Sequence, residues 1–145
     1  MPDTKPTLLI VDDEATIRFT LSQIFSEFGH GVRVAADGLS ALSEMEREVP
    51  DILLSDLNMP GMSGFELLPV VRQHFPTIRV IAMSGAFRGD EAPSGLAADA
   101  FYQKGSSVGA LLKIMDALPW PERKIASPSK MQTSLGTETS EYSVA

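Results

Sequence analysis

Leu8-Leu9-Ile10-Val11-Asp12-Asp13-Glu14 decides the fold: four apolar residues in a row end abruptly in three carboxylates. A run this short cannot cross a membrane or form the apolar stretch of a signal peptide. It reads instead as a strand buried on both faces, whose carboxyl end emerges into polar surroundings. The same kind of run returns at 32–36, 52–55, 78–83 and 100–103, and the stretches between carry helical spacing. Strands alternating with helices predict an α/β fold, with a parallel sheet covered on both faces.

Working outward, Ile17, Leu21, Ile24, Phe25 and Phe28 recur at three- and four-residue intervals, and Gly29 supplies a left-handed stop. Leu42, Met45 and Val49 mark a second helix, with Asp37 placed to cap it and Pro50 to end it. A third spans roughly 65–75, where Pro69 removes one amide and bends the helix only modestly. A fourth, over 88–98, contains Gly89, Pro93 and Gly95 and can be only short or irregular. Val108, Leu111, Leu112, Met115 and Leu118 form the apolar face of the last, with Ser106 or Ser107 as its cap. The expected division is a domain over 1–118 and a Pro/Ser/Thr-rich, disordered tail over 119–145, too short to be an output domain of its own. Trp120, between two prolines, is expected to pack back on the last helix.

The chain has 145 residues, 43% of them hydrophobic, enough for one compact core. It contains no cysteine, which removes disulfides and thiolate metal sites and fits a reducing, cytoplasmic setting. A net charge of -7 with 12 scattered basic residues argues against direct nucleic-acid binding, and no membrane attachment is expected.

In an open parallel sheet, ligands bind beyond the carboxyl ends of the strands. Asp12 and Asp13 stand there after the first run, Asp56 after the third, Ser84 after the fourth and Lys104 after the fifth. Singly, each has an ordinary explanation: an Asp pair before a helix is often a cap, and a strand-end Ser or Lys is usually structural. Together they complement one another chemically. Three adjacent carboxylates repel, and a hard, oxygen-seeking cation such as Mg2+ relieves the repulsion. Asp56 then stays ionised and can act as a nucleophile toward a phosphoryl group. Lys104 supplies charge to the phosphoryl oxygens, Ser84 donates a hydrogen bond, and Gly85 leaves room.

These segments, with 53–64 (Leu-Leu-Ser-Asp56-Leu-Asn58-Met-Pro60-Gly61-Met-Ser-Gly64), Ala82-Met83-Ser84-Gly85 and Lys104, resemble the receiver domains of two-component response regulators, here standing alone, over roughly 7–118. The resemblance implies a doubly wound, flavodoxin-like, five-stranded sheet in the order 2-1-3-4-5 with five helices. It implies a phosphorelay switch rather than an enzyme, beyond self-phosphorylation from donors and self-dephosphorylation. By motif position Asp56 is the phosphoacceptor, with Lys104 and Ser84 assisting. Mg2+ is held by Asp13, by Asp56, by the backbone carbonyl of Asn58 and, through water, by Asp12. Ser84 and Phe101 are the switch pair, and Pro60, Gly61 and Gly64 shape the loop after the acceptor. Asn58 and Ala86 would stand near the water that hydrolyses the acyl phosphate. The implied partners are a histidine kinase or histidine phosphotransfer protein and an unknown output protein, with a homodimer left open. Phe19, opposite the buried stripe of the first helix, lies where such partners often dock.

Two features depart from the family pattern. Gly105 replaces the usual proline after the lysine, which predicts a trans peptide or an altered loop, because cis bonds before non-proline residues cost about 2.5–4 kcal/mol. The stretch from Ser84 to Lys104 is also shorter than usual. Competing readings are a receiver-fold binding module that works without phosphorylation and an aspartate-nucleophile Mg2+ phosphatase. The phosphatase lacks the second Asp expected two residues after the nucleophile, where Asn58 stands. A dinucleotide site is disfavoured, since Asp12, Asp13 and Glu14 would repel phosphates where a glycine loop should hold them.

Overall fold

A computed structural model describes residues 5–85 and 95–118. The expected fourth helix, Ala86 and the tail with Trp120 fall largely or wholly outside these residues, and 95–98 are turn and irregular chain. The chain runs β1 (Leu8–Val11), α1 (Ala15–Glu27), β2 (Val32–Ala35), α2 (Gly38–Arg47), β3 (Ile52–Asp56), α3 (Gly64–His74), β4 (Arg79–Ser84), β5 (Ala100–Gln103) and α4 (Val108–Ala117). The five strands are parallel in the order β2-β1-β3-β4-β5. Where five helices were expected, the described residues contain four.

Two-residue alternation along each strand divides the core into halves. Leu9, Val11, Leu53, Val80 and Ala82 meet Ala41 and Met45 of α2 and Leu67, Leu68 and Val71 of α3 on one face. Leu8, Ile10, Ile52, Leu54, Ile81 and Met83 meet Leu21 and Phe25 of α1 and Leu111 and Met115 of α4 on the other. Continuous apolar strands follow from this double cover, because no strand residue in the middle of the sheet faces water.

The helix ends show how local chemistry sets the frame. α1 closes in a Schellman arrangement: Gly29, at φ +93°, donates to Ser26 O at 3.0 Å and His30 N–H donates to Phe25 O at 3.0 Å. The turn leaves Phe28 48% exposed, so it ends the helix rather than extending the buried stripe. Asp37 caps α2, accepting from Ser40 N–H at 2.7 Å. α2 stops at Arg47, before the Val49-Pro50 pair, so Val49 lies past the helix and is 48% exposed instead of buried. α3 begins in a reciprocal capping box between Ser63 and Glu66, a Ser-x-x-Glu signal open to reading in the sequence, and it runs on through Pro69. Of the two candidate serines, Ser107 caps α4, accepting from Ala110 N–H at 3.1 Å.

Candidate functional site

Strand register builds the site before any side chain is considered. Val11 pairs with Ser55, so the next residues, Asp12 and Asp56, emerge side by side. Asp56 pairs with Met83, and Ser84 with Gln103, which sets Lys104 one step beyond the sheet. Backbone bonds carry the ladder past the strand ends: Leu57 N–H to Met83 O at 2.9 Å and Lys104 N–H to Ser84 O at 3.0 Å. Asp12 and Asp56 continue the even-numbered rows of β1 and β3, and Lys104 that of β5, so all three share the α1/α4 face.

Side chains then converge. Nζ of Lys104 lies 3.0 Å from Asp12 Oδ2, 3.4 Å from Asp56 Oδ2 and 3.4 Å from Glu14 Oε1. Asp12 is fully buried and Asp56 2% exposed, whereas Asp13 is exposed. One carboxylate oxygen each from Asp12, Asp13 and Asp56 falls within 4.8 Å of the others. Asp12 Oδ1 accepts from Glu14 N–H at 2.9 Å and so braces its own turn, while Glu14 occupies the N-cap position of α1 without a side-chain cap bond. The Asp pair therefore does not cap the helix. Asp12 Oδ2 is buried and, among the described residues, accepts no hydrogen bond of good geometry, although the Lys104 ammonium lies 3.0 Å away.

The electrostatics follow from sharing one cation among three acids. Burial pushes the Asp56 carboxyl above its ordinary range; the Asn58 N–H opposes this at 3.3 Å from Oδ1, Asp12 adds to it and Lys104 opposes it. Burial works against the Lys104 ammonium, yet Asp12, Asp56 and Glu14 together hold it above its ordinary value. Both groups are raised because the lysine collects three attractions, whereas Asp56 receives a share of one cation and the repulsion of Asp12.

Ser84, fully buried, donates from Oγ to Asn58 Oδ1 at 2.8 Å and ties the end of β4 to the loop after β3. Phe101, on the other face of the sheet from Asp56, is partly buried against the α2/α3 half of the core. Gly61 sits at φ +74°, which the loop after Asp56 requires, and Gly64 packs against the backbone of Asp56 itself. Among the described residues, a Cβ on Gly85 would find nothing nearer than Lys104 Cβ at 4.0 Å, so space remains beside Ser84. No cis peptide bond occurs among the described residues, and Gly105 turns the chain at φ +92°, in line with the expected trans, altered loop. Phe19 is 67% exposed on α1 and borders a groove of about 680 Å³ with Arg18, Gln23 and Val34. Two partners went unread in the sequence. Glu14 reaches Lys104, and Arg18 donates to Asp12 O at 2.7 Å. No local spacing signals either contact, since Glu14 pairs with a residue 90 positions away and Arg18 with a backbone carbonyl.

Comparison with known proteins agrees with this geometry. The model of the response regulator receiver domain matches residues 8–115. Sporulation initiation phosphotransferase F of Bacillus subtilis is 42% identical over 77 residues, 53% of this chain and 62% of that protein. The DNA-binding transcriptional regulator NtrC of Escherichia coli is 35% identical over 97 residues, 67% of this chain and 19% of that protein. The match thus spans less than two thirds of either relative. Among solved structures, the chemotaxis protein CheY4 of Vibrio cholerae superposes with a TM-score of 0.72 at 28% identity, covering 79% of this chain and 98% of that one. The response regulator TrrA of Thermotoga maritima, solved in complex with Mg2+ and BeF, gives 0.72 at 27% identity, covering 79% and 100%. Residues 8–115 carry the family's pattern from β1 into α4, and the chain belongs to the response regulator receiver domain family.

Proposed function

We propose that the chain is a cytoplasmic phosphorylation switch in which Asp56 accepts a phosphoryl group and Mg2+ is held by Asp12, Asp13, Asp56 and the Asn58 carbonyl. The observation that carries this reading is the convergence of three carboxylates on one ammonium at the sheet edge, with Asp12 Oδ2 buried and lacking a good hydrogen bond. The donor set fits a hard divalent cation: oxygens only, grouped in an open site at the end of a parallel sheet. Bound there, the cation supplies charge neutralisation for the transferred group and for the crowded acids.

An Asp56 carboxylate oxygen attacks phosphorus, and the bond from phosphorus to the donor breaks. The electron pair leaves on the donor, an imidazole nitrogen for a phosphohistidine or an acetate oxygen for acetyl phosphate. The product is an acyl phosphate. Lys104, already 3.4 Å from Asp56, moves from pairing with carboxylates to pairing with phosphoryl oxygens. Ser84 can exchange its bond to Asn58 for one to the phosphoryl group, and the space this vacates beside β4 and β5 is open to Phe101. The shift this produces equals the difference in interaction free energy between the two arrangements. A histidine kinase or histidine phosphotransfer protein is the natural donor, with the exposed Phe19 face of α1 as its seat. The similarity to TrrA, which was solved with Mg2+ and BeF, supports the site assignment, and the similarity to a sporulation phosphotransferase supports a phosphotransfer role.

The test is intact mass after incubation with Mg2+ and acetyl phosphate, comparing wild type with Asp56→Ala. One added phosphoryl group, dependent on Mg2+ and absent from the variant, is expected. Equal labelling of the variant would remove Asp56 from the role.

A further inference from the structure

At the amino ends of the strands, opposite the acidic cluster, lies a second concavity of about 340 Å³. Its walls are Pro6 and Lys5 ahead of β1, Phe28 and His30 after α1, and Leu112, Met115 and Asp116 of α4. The walls are preformed. His30 Nδ1 lies 2.8 Å from Pro6 O, and its ring meets the Phe25 ring edge-on at 5.7 Å between centroids. Pro6, Leu112 and Met115 are its apolar lining, and Phe28 stands 48% exposed beside them. A half-exposed aromatic in a concavity it shares with Pro6, Leu112 and Met115 gains by being covered.

The chain itself supplies a cover. α4 ends at Ala117, and Leu118 is buried and extended, at φ -66° and ψ 137°. Pro119-Trp120-Pro121 follows directly. A proline holds the residue before it away from helical geometry, which agrees with the extended Leu118. The prolines also restrict the unfolded chain, so seating the indole costs less entropy than for an ordinary linker. Trp120 follows Leu118 by two residues, a span of about 7 Å at most, so the chain is long enough to bring the indole back toward α4. Trp120 is the single tryptophan of the chain, and its indole fits within a cavity of about 340 Å³ with room to spare. Charge agrees too: Lys5 and Asp116 stand at the rim, and Glu122, Arg123 and Lys124 follow the indole.

We infer that this groove is the seat of Trp120, so that the chain's own continuation closes the amino end of the sheet and fastens the start of β1 to the end of α4. The contact lies away from the acidic cluster and is independent of its chemistry.

Because Trp120 is the only tryptophan, its fluorescence in the full-length chain reads the contact directly. Expected are a blue-shifted emission relative to the same chain in guanidinium chloride and a several-fold lower acrylamide quenching constant, both unchanged on dilution. Phe28→Ser and Leu112→Ser, on opposite walls, should each move emission and quenching toward the denatured values while far-ultraviolet circular dichroism stays native. Wild-type emission and quenching equal to the denatured chain would overturn the inference without any variant. So would protection that appears only as protein concentration rises, which would assign the groove to a second copy. Protection untouched by both substitutions in a folded protein would place the indole elsewhere.

Discussion

Replacing Gly64 by alanine probes the closest backbone approach at any glycine among the described residues. An added Cβ would stand 2.4 Å from Asp56 O and 2.7 Å from Leu57 Cα, both backbone atoms that cannot rotate away. Carbon atoms settle at about 3.5–4.0 Å, so the start of α3 must retreat by roughly 1 Å. Retreat strains the Gly64 N–H to Leu57 O bond of 3.0 Å, itself worth about 1 kcal/mol. Overpacking of this kind costs about 1–3 kcal/mol, and alanine returns at most about 1 kcal/mol as a better helix former. The net loss is about 2 kcal/mol, a fall of roughly 8 °C in Tm at about 4 °C per kcal/mol for a domain of this size. Gly61→Ala is the control: nothing lies within 4 Å of its Cβ, so only its φ of +74° matters, at about 1–2 kcal/mol. Thermal and urea unfolding measure both. Mg2+ titration adds a second readout, since Gly64→Ala displaces the backbone of Asp56 and should weaken binding more than Gly61→Ala. A Gly64→Ala protein as stable as wild type, with unaltered Mg2+ affinity, would refute the reasoning.

Other expectations concern charge and caps. Saturating Mg2+ should stabilise the fold, by about 2.7 kcal/mol at a hundredfold excess over Kd, and chelation should remove the gain; Asp13→Asn should be more stable than wild type without metal and respond less to it in differential scanning calorimetry. The Ser40 amide holds the Asp37 carboxyl low, and Arg47 and Arg33 do the same for Glu44. Groups depressed by folding stabilise above their unfolded pKa, so this contribution should be complete above about pH 5 and fade as pH falls through the folded values, with Glu44→Gln flattening the slope of urea midpoint against pH. Ser63→Ala removes one half of the α3 capping box and should cost about 1 kcal/mol in urea unfolding, with Ser63→Gly costing less.

Sequence by itself was sufficient for the alternation of strand and helix, for the parallel sheet and for the gathering of Asp12, Asp13, Asp56, Ser84 and Lys104 at one edge. The reason is periodicity: apolar runs of strand length between helical stripes admit few topologies, and residues that follow each run must share the carboxyl edge. Element ends were legible where a single residue dictates them, as at Asp37 and Gly29, and illegible where neighbours compete. Phe28 and Val49 fit the helical period yet lie exposed, because the Gly29 turn and the approach of Pro50 end their helices first.

Only the tertiary structure decided who faces whom. Register, an offset between distant strands, set Asp12 against Asp56 and brought Lys104 to both. The reach of long side chains brought Glu14 and Arg18 into the same cluster, and close packing alone explains why Gly64 bears no side chain. Periodicity speaks of faces within one element, whereas contacts of this kind depend on distances between elements that no local pattern encodes.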